Sequence, residues 1–117
     1  ALEAGASGIV VSNHGGRVLD HCPATAEVLP EIVDAVGGKL TIFVDGAIRS
    51  GMDIFKALAR GADAVLIGRP FVTAVYGGGE EGVKLYVQKL KAELADTMRM
   101  CGAHSLAEID RSMIYRG

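Results

Sequence analysis

This chain lacks several features that would assign it to a familiar class of protein. It has no tryptophan, and it has no run of about 18 apolar residues, so we expect no transmembrane helix. It has 12 Lys and Arg against 14 Asp and Glu. This balance gives no excess of positive charge, so we do not expect the chain to bind nucleic acid. The only cysteines, Cys22 and Cys101, lie far apart, which predicts reduced thiols in a cytoplasmic protein. His21 and Cys22 fit no zinc spacing, so we expect no metal site.

The amino terminus has no feature of a targeting segment. The sequence starts at Ala1 rather than Met, and residues 1–6 contain neither a basic stretch nor an apolar core. These residues are typical of the last turn of a helix that begins further upstream. We therefore expect one domain over residues 1–117, taken from a longer protein.

Short apolar runs alternate with helical patterns along the chain. The runs at residues 9–12, 40–44 and 64–67 are rich in apolar and β-branched residues, as buried parallel strands are. Helical spacing then predicts helices over four stretches, which are residues 26–36, 51–60, 70–76 and 80–100. Strands that alternate with crossover helices predict an α/β fold with a parallel sheet.

Several residues predict where these helices begin, break or pack. Pro30 predicts a turn before it and a helix that starts at it, and Ser50 with Asp53 has the spacing of a capping box. The glycines at residues 77–79 predict a flexible break, and the spacing of Ser105–Glu108 predicts a last short turn. An apolar stripe on the long helix predicts core packing, and its members are Val83, Val87, Leu90, Leu94 and Met98.

Polar residues follow the first strand at the edge where parallel α/β folds carry their chemistry. His14 can accept or donate a proton near neutral pH. Arg17 comes three residues later, and its planar guanidinium matches a carboxylate. This pair predicts proton transfer beside an acid group.

The ends of the other two strands carry the pattern of a phosphate site. Gly68 and Arg69 follow the third strand just before a helix, where free backbone N–H groups favour an anion. Arg49, with Gly46 and Ala47, offers a similar arrangement after the second strand. Because parallel strands end at one edge, these loops predict a single phosphate-containing ligand.

Together these stretches resemble the FMN-dependent α-hydroxy acid dehydrogenases and oxidases. The matching segments cover nearly the whole chain and include residues 12–17 (SNHGGR), 45–51 (DGAIRSG) and 68–70 (GRP). Ala47 departs from the family, in which glycine is frequent at this place, but its backbone N–H is retained. Val18 stands where glutamine is common.

The resemblance implies a role for each matching residue. His14 is expected to be the base that takes a proton from the substrate, and Arg17 to bind its carboxylate. The residues expected to hold FMN are Ser12, Asp45, Gly46, Ala47, Arg49, Gly68 and Arg69. The implied reaction oxidises an (S)-2-hydroxy acid such as L-lactate or glycolate to the 2-oxo acid, and two electrons pass to the flavin.

The resemblance also implies that much of the fold lies outside this chain. A closed (β/α)8 TIM barrel needs about 250 residues. The three predicted strands correspond to the sixth, seventh and eighth, so we expect the C-terminal part of such a barrel, with about three βα units. Because edge strands and the barrel interior would be uncovered, we expect self-association or association with the missing half. We expect no turnover from this part alone.

Two alternatives stay open from the sequence. One is another flavin- or phosphate-binding barrel, such as type 2 isopentenyl diphosphate isomerase or an IMP dehydrogenase-like enzyme, which would not need His14 and Arg17 in this arrangement. The other is a non-catalytic half-barrel that only binds phosphate.

Overall fold

A computed structural model describes residues 1–115 as three strands and three helices in alternation. Short 3-10 turns follow the first strand and the last helix. In chain order the elements are β1 (Gly8–Val11), α1 (Thr25–Val36), β2 (Thr41–Asp45), α2 (Gly51–Ala59), β3 (Ala64–Leu66) and α3 (Arg69–Cys101).

The strands form one parallel sheet in the order β1-β2-β3. Val11 pairs with Val44, and Asp45 pairs with Leu66, so the carboxyl ends of the strands lie at one edge. The predicted α/β fold with a parallel sheet is confirmed. The predicted strand limits were wrong by one residue, because pairing to the neighbouring strand decides where each ends. Asp45, for example, is the last residue of β2 rather than the first of its loop.

One face of the sheet packs against the helices. Val11, Ile42 and Val44 point to that face and form a buried cluster with Leu29 of α1 and Ala57 of α2. A second buried cluster joins α2 to the segment after α3, through Phe55, Ala59, Ala103 and Ile109. The side chains alternate between the two faces, as a strand requires, and the helical layer therefore fixes which residues face the opposite side.

The opposite face of the sheet is open within residues 1–115. Val10 on β1 is 52% exposed and Leu66 on β3 is 43% exposed. An apolar sheet face in contact with water is unusual for a folded domain. This exposure agrees with the expectation that the interior of a barrel would be uncovered in this part of the fold.

Helix α1 runs through Pro30, and the predicted start at that proline was wrong. The helix begins at Thr25, where Glu27 Oε2 accepts the N–H of Ala24 at 3.1 Å. Pro30 has no N–H for the carbonyl of Ala26, four residues earlier. Arg60 Nη1 donates to that carbonyl at 2.6 Å instead. A tertiary hydrogen bond therefore replaces the one that the proline removes.

Helix α3 consists of two helices that form a hairpin, so the predicted pair of helices is confirmed, and the break between them is confined to one glycine. Gly77 and Gly78 are helical, and only Gly79 leaves the helical conformation, with φ 53° and ψ −134°. A positive φ is readily available to glycine alone. The kink folds the first half of α3 back on the second, so the rings of Phe71 and Tyr86 meet at a centroid distance of 4.9 Å. We call this element, Arg69–Cys101, the α3 hairpin.

The predicted apolar stripe of α3 is only partly buried. Leu90 is buried, and Leu94 and Met98 pack against the second cluster, but Val87 is 48% exposed. The first residue of α2, Gly51, lies against Leu94. Burial of the predicted stripe is therefore interrupted at Val87.

The predicted helix ends are largely confirmed. Ser50 and Asp53 form the capping box of α2 with two hydrogen bonds of 3.1 Å, and Gly102 ends α3 in a left-handed conformation. The last predicted turn is present at Leu106–Glu108, but Glu108 accepts the N–H of His104 rather than that of Ser105.

The close approach of α2 and α3 predicts an intolerance of bulk at Gly51. A methyl group there would overlap the backbone N of Leu94, so Gly51→Ala should lower the free energy of unfolding by about 1–3 kcal/mol. Gly78→Ala is the matched control, because a methyl group at this helical glycine meets open space. It should be neutral or stabilise by up to about 1 kcal/mol. Urea unfolding checks both values, and equal effects of the two variants would contradict the packing.

Candidate active site

The three strand ends open onto one cavity of about 1290 Å³. Of the residues predicted to form the site, all but Ser12 line this cavity: His14, Arg17, Asp45, Gly46, Ala47, Arg49, Gly68 and Arg69. The α3 hairpin forms the opposite wall with Thr73, Gly82 and Tyr86. The fold therefore brings these side chains together, although residues 14 and 69 are far apart in sequence.

The loop after β1 holds His14 in a conformation that is unfavourable for a residue with a side chain. His14 has φ 54°, and a left-handed backbone of this kind costs about 1–2 kcal/mol. Two hydrogen bonds stabilise the turn. The N–H of His14 donates to Ser12 Oγ at 3.0 Å, and the N–H of Gly15 donates to Asn13 Oδ1 at 3.1 Å. The strain is thus held by side chains of the same loop.

Ser12 connects this loop to the next strand. Its hydroxyl donates to Asp45 Oδ2 at 2.6 Å while its oxygen accepts the N–H of His14. A charged acceptor makes such a bond stronger than a neutral pair. The structure therefore places Ser12 between Asp45 and His14 rather than on the cavity wall, and its predicted contact with the cofactor stays a prediction.

His14 and Arg17 lie within hydrogen-bonding distance of each other. Arg17 Nη2 is 3.2 Å from His14 Nε2. A guanidinium can only donate, so a hydrogen bond between these two atoms requires Nε2 as the acceptor.

Arg69 lies across the cavity against the loop of His14. A methyl group built on Gly15 would overlap Arg69 Nη2. Gly15 has φ 72°, so a glycine here serves both the turn and the close approach of the guanidinium. Gly68 precedes α3, and Pro70 occupies its first turn as predicted. The free N–H groups at that helix end favour an anion in the same place.

The loop that carries Arg49 is held at its backbone from two sides. The N–H groups of Arg49 and Ser50 both donate to Asp53 Oδ2 at 3.1 Å. The carbonyl of Arg49 accepts the hydroxyl of Tyr86 on the α3 hairpin at 2.8 Å. Sequence reasoning missed Tyr86, because it falls outside the apolar stripe and its partner lies 37 positions away in the sequence. Ala47 in this loop has φ 58°.

Glu93 fixes the beginning of α2 below the cavity. Its Oε2 accepts the N–H of Gly51 at 2.8 Å, and its Oε1 accepts the ammonium group of Lys89. The hydrogen bond from Lys89, with that from Gly51, lowers the pKa of Glu93 below its usual value of 4.5. The same carboxylate raises the pKa of Lys89.

Neither a metal cluster nor a disulfide is found in the part of the chain that the structure describes. Residues 1–115 contain no group of three or more His, Cys, Asp or Glu side chains that could hold a metal ion. Cys22 and Cys101 are both free and exposed. The cavity lining itself offers guanidinium, imidazole, carboxylate and backbone N–H groups.

Comparison with known families identifies the family to which the chain belongs. The model of the FMN-dependent dehydrogenase family matches residues 1–116. The chain belongs to this family. The resemblance described above is thereby confirmed, and FMN is the cofactor of the family.

Similar proteins extend well beyond this chain. It is 49% identical over 114 residues to the peroxisomal (S)-2-hydroxyacid oxidase GLO3 of Arabidopsis thaliana, covering 97% of this chain and 31% of the relative. It is 48% identical over 115 residues to glycolate oxidase 1 of Oryza sativa subsp. indica, with 98% and 31% covered. A crystal structure of mandelate oxidase with benzoyl-formic acid superimposes with a TM-score of 0.92 at 49% identity, covering 95% of this chain and 33% of the other. The chain therefore spans about a third of the length of these relatives.

The expected location is not confirmed by these comparisons. No helix within residues 1–115 is long and apolar enough to span a bilayer. The name of the Arabidopsis thaliana relative places that protein in the peroxisome. A cytoplasmic location therefore stays a prediction for this chain.

The lowered pKa of Glu93 predicts how stability depends on pH. A carboxyl group whose pKa is lowered by folding contributes stability above its unfolded pKa, and this contribution is lost as the pH falls through the folded pKa. Glu93→Gln should therefore destabilise the chain near neutral pH and lose its effect below pH 4.5, the usual pKa. Urea unfolding at neutral and acid pH measures the difference.

Glu81→Gln is the control on the same helix, because the side chain of Glu81 is 84% exposed and its carboxylate pairs with the exposed Lys84 at 3.1 Å. It should change stability little at either pH. A pH-independent effect of Glu93→Gln would show that the carboxylate acts through packing rather than through charge.

Proposed function

We propose that this chain is the C-terminal, FMN-holding part of a TIM barrel that oxidises an (S)-2-hydroxy acid to the 2-oxo acid. The observation that carries the proposal is the convergence of the His14–Arg17 pair with Arg49 and Arg69 on one cavity. The three strands would be the last of the eight. The oxidation itself is a property of the whole protein, of which these residues supply the base, the carboxylate clamp and the phosphate site.

The residues around the cavity fit FMN in charge and in shape. Arg49 and Arg69 supply two positive charges, and the start of α3 at Gly68 supplies backbone N–H groups for a phosphate. Asp45 lines the cavity with a carboxylate, which is suited to accept hydrogen bonds from the hydroxyl groups of a ribityl chain. Glycine at positions 15, 46 and 68 leaves room for backbone contact with the cofactor.

The adjacent pair His14 and Arg17 supplies what the oxidation of a hydroxy acid requires from the protein. Arg17 would bind the substrate carboxylate through its guanidinium, which places the α-carbon and its hydroxyl beside the imidazole. His14, which lies beside Arg17, would take up the proton that leaves the substrate. When bound, FMN supplies the acceptor for two electrons.

The substrate class follows from the same two residues. A carboxylate for Arg17 and a hydroxyl on the adjacent carbon for His14 together define a 2-hydroxy acid. The relatives named above act on such acids by their names, and the mandelate oxidase structure holds a 2-oxo acid. Glycolate and L-lactate are the proposed substrates, because the chain resembles glycolate oxidase along 98% of its length. An isomerase of isopentenyl diphosphate would have no use for the His14–Arg17 pair.

A test of the cofactor site uses two adjacent glycines as a matched pair. Gly15 and Gly16 have almost the same φ, 72° and 71°, but only a methyl group on Gly15 would overlap Arg69. Gly15→Ala should therefore displace the guanidinium and weaken FMN binding about tenfold, the effect of losing one charge-assisted hydrogen bond. Gly16→Ala carries the same backbone strain and should bind FMN more tightly than Gly15→Ala.

Quenching of flavin fluorescence during titration of each variant gives the dissociation constants. If Gly15→Ala and Gly16→Ala weaken FMN binding equally, Arg69 does not contact the phosphate. If the unmodified chain shows no FMN binding in the context of the whole protein, the proposed function is wrong.

A second test addresses the role of His14 as a base. His14→Asn in the whole protein should lower kcat by about 10²- to 10⁴-fold, the usual contribution of a positioned base, without loss of the bound flavin absorbance. His21→Asn is the matched control, because His21 has a similar φ of 59° and is exposed. Turnover of glycolate or L-lactate measures both. Equal kcat for the two variants would exclude His14 as the base.

A further inference from the structure

We propose that Tyr86 is a positioning residue that fixes the spacing between the two loops that carry Arg49 and Arg69. The inference rests on the proposed function, since it concerns how the same phosphate site is held. The residue lies on the α3 hairpin and is not part of any motif of the family resemblance.

The first contact of Tyr86 is with the loop after β2. Its hydroxyl donates to the carbonyl oxygen of Arg49 at 2.8 Å, across 37 positions of sequence. The N–H of the same residue donates to Asp53 Oδ2. The N–H and the carbonyl of Arg49 are therefore both hydrogen-bonded. Asp53 belongs to α2, which directly follows the loop, whereas the hydroxyl of Tyr86 comes from a distant helix.

The second contact of Tyr86 is with the first turn of the α3 hairpin. Its ring and that of Phe71 form an edge-to-face pair with a centroid distance of 4.9 Å and an interplanar angle of 68°. Such edge-to-face pairs stabilise one relative orientation of the rings. The N–H of Phe71 donates to the carbonyl of Gly68 at 2.9 Å, so the ring of Tyr86 is coupled through Phe71 to Gly68 and Arg69.

Tyr86 keeps its hydroxyl proton over the range of pH in which the site would work. Partial burial raises the pKa of Tyr86 above its usual value of 10.0, while Lys89 acts in the opposite direction and Glu93 and Asp53 add to the increase. The phenol therefore stays a neutral donor near pH 7. One side chain thus holds the Arg49 carbonyl with its hydroxyl and the start of α3 with its ring.

The experiment compares two tyrosine variants on the same hairpin in the whole protein. Tyr86→Phe removes the hydroxyl and keeps the ring against Phe71. Tyr76→Phe is the same substitution at a residue that is 90% exposed. Flavin fluorescence titrations give dissociation constants for FMN and for riboflavin, which lacks the phosphate. The ratio of the two constants isolates the phosphate site.

If Tyr86 sets the spacing of the two arginine loops, Tyr86→Phe lowers the preference for FMN over riboflavin by about three- to tenfold, the usual effect of one hydrogen bond. Tyr76→Phe leaves the preference unchanged. A purely structural role would weaken both flavins equally, and an unchanged ratio in Tyr86→Phe overturns the inference. If the unmodified protein shows no preference for FMN, the proposed function fails instead.

Hydrogen exchange gives a second readout that does not depend on flavin. The amides of residues 46–50 should exchange faster in Tyr86→Phe than in Tyr76→Phe, while exchange in β2 stays the same, because the restraint is local. Equal exchange of residues 46–50 in the two variants would also overturn the inference.

Discussion

The hydrogen bond from Ser12 to Asp45 is the interaction on which the geometry of the site depends. It joins the ends of β1 and β2 at 2.6 Å, and its serine oxygen also holds the backbone N–H of His14. The left-handed conformation of His14 would be unfavourable without such support. Since Arg69 packs on the neighbouring Gly15, the position of the third loop follows from the first. One short polar contact therefore orients an imidazole, a carboxylate and a guanidinium.

Much of this arrangement could be predicted from the sequence, because it depends on local signals. Apolar runs gave the three strands, and the polar and glycine residues that follow each run gave the cavity wall. His14, Arg49 and Arg69 could be assigned to one edge because parallel strands have only one carboxyl edge. The family resemblance then supplied the chemistry that charges alone do not specify. The residues that could be predicted in this way are those whose position is set by the strand immediately before them.

The features that could not be predicted depend on contacts between distant segments. Pro30 lies inside α1 because Arg60, thirty positions later, donates to the carbonyl that the proline leaves free. Tyr86 donates to Arg49, 37 positions earlier, from a helix that contacts the start of α2 through Glu93. Neither partner can be inferred from spacing along one helix.

The contact between Arg60 and α1 has a consequence for the order in which the layer of helices can assemble. An α1 peptide on its own would contain an unsatisfied carbonyl at Ala26, in the turn before Pro30, and this would favour fraying of its first turns. The donor for this carbonyl is Arg60, which reaches Ala26 only when the end of α2 packs beside α1. Formation of α1 is therefore coupled to its packing against α2. Pro30, a residue type that usually interrupts a helix, makes the folding of α1 depend on that of α2.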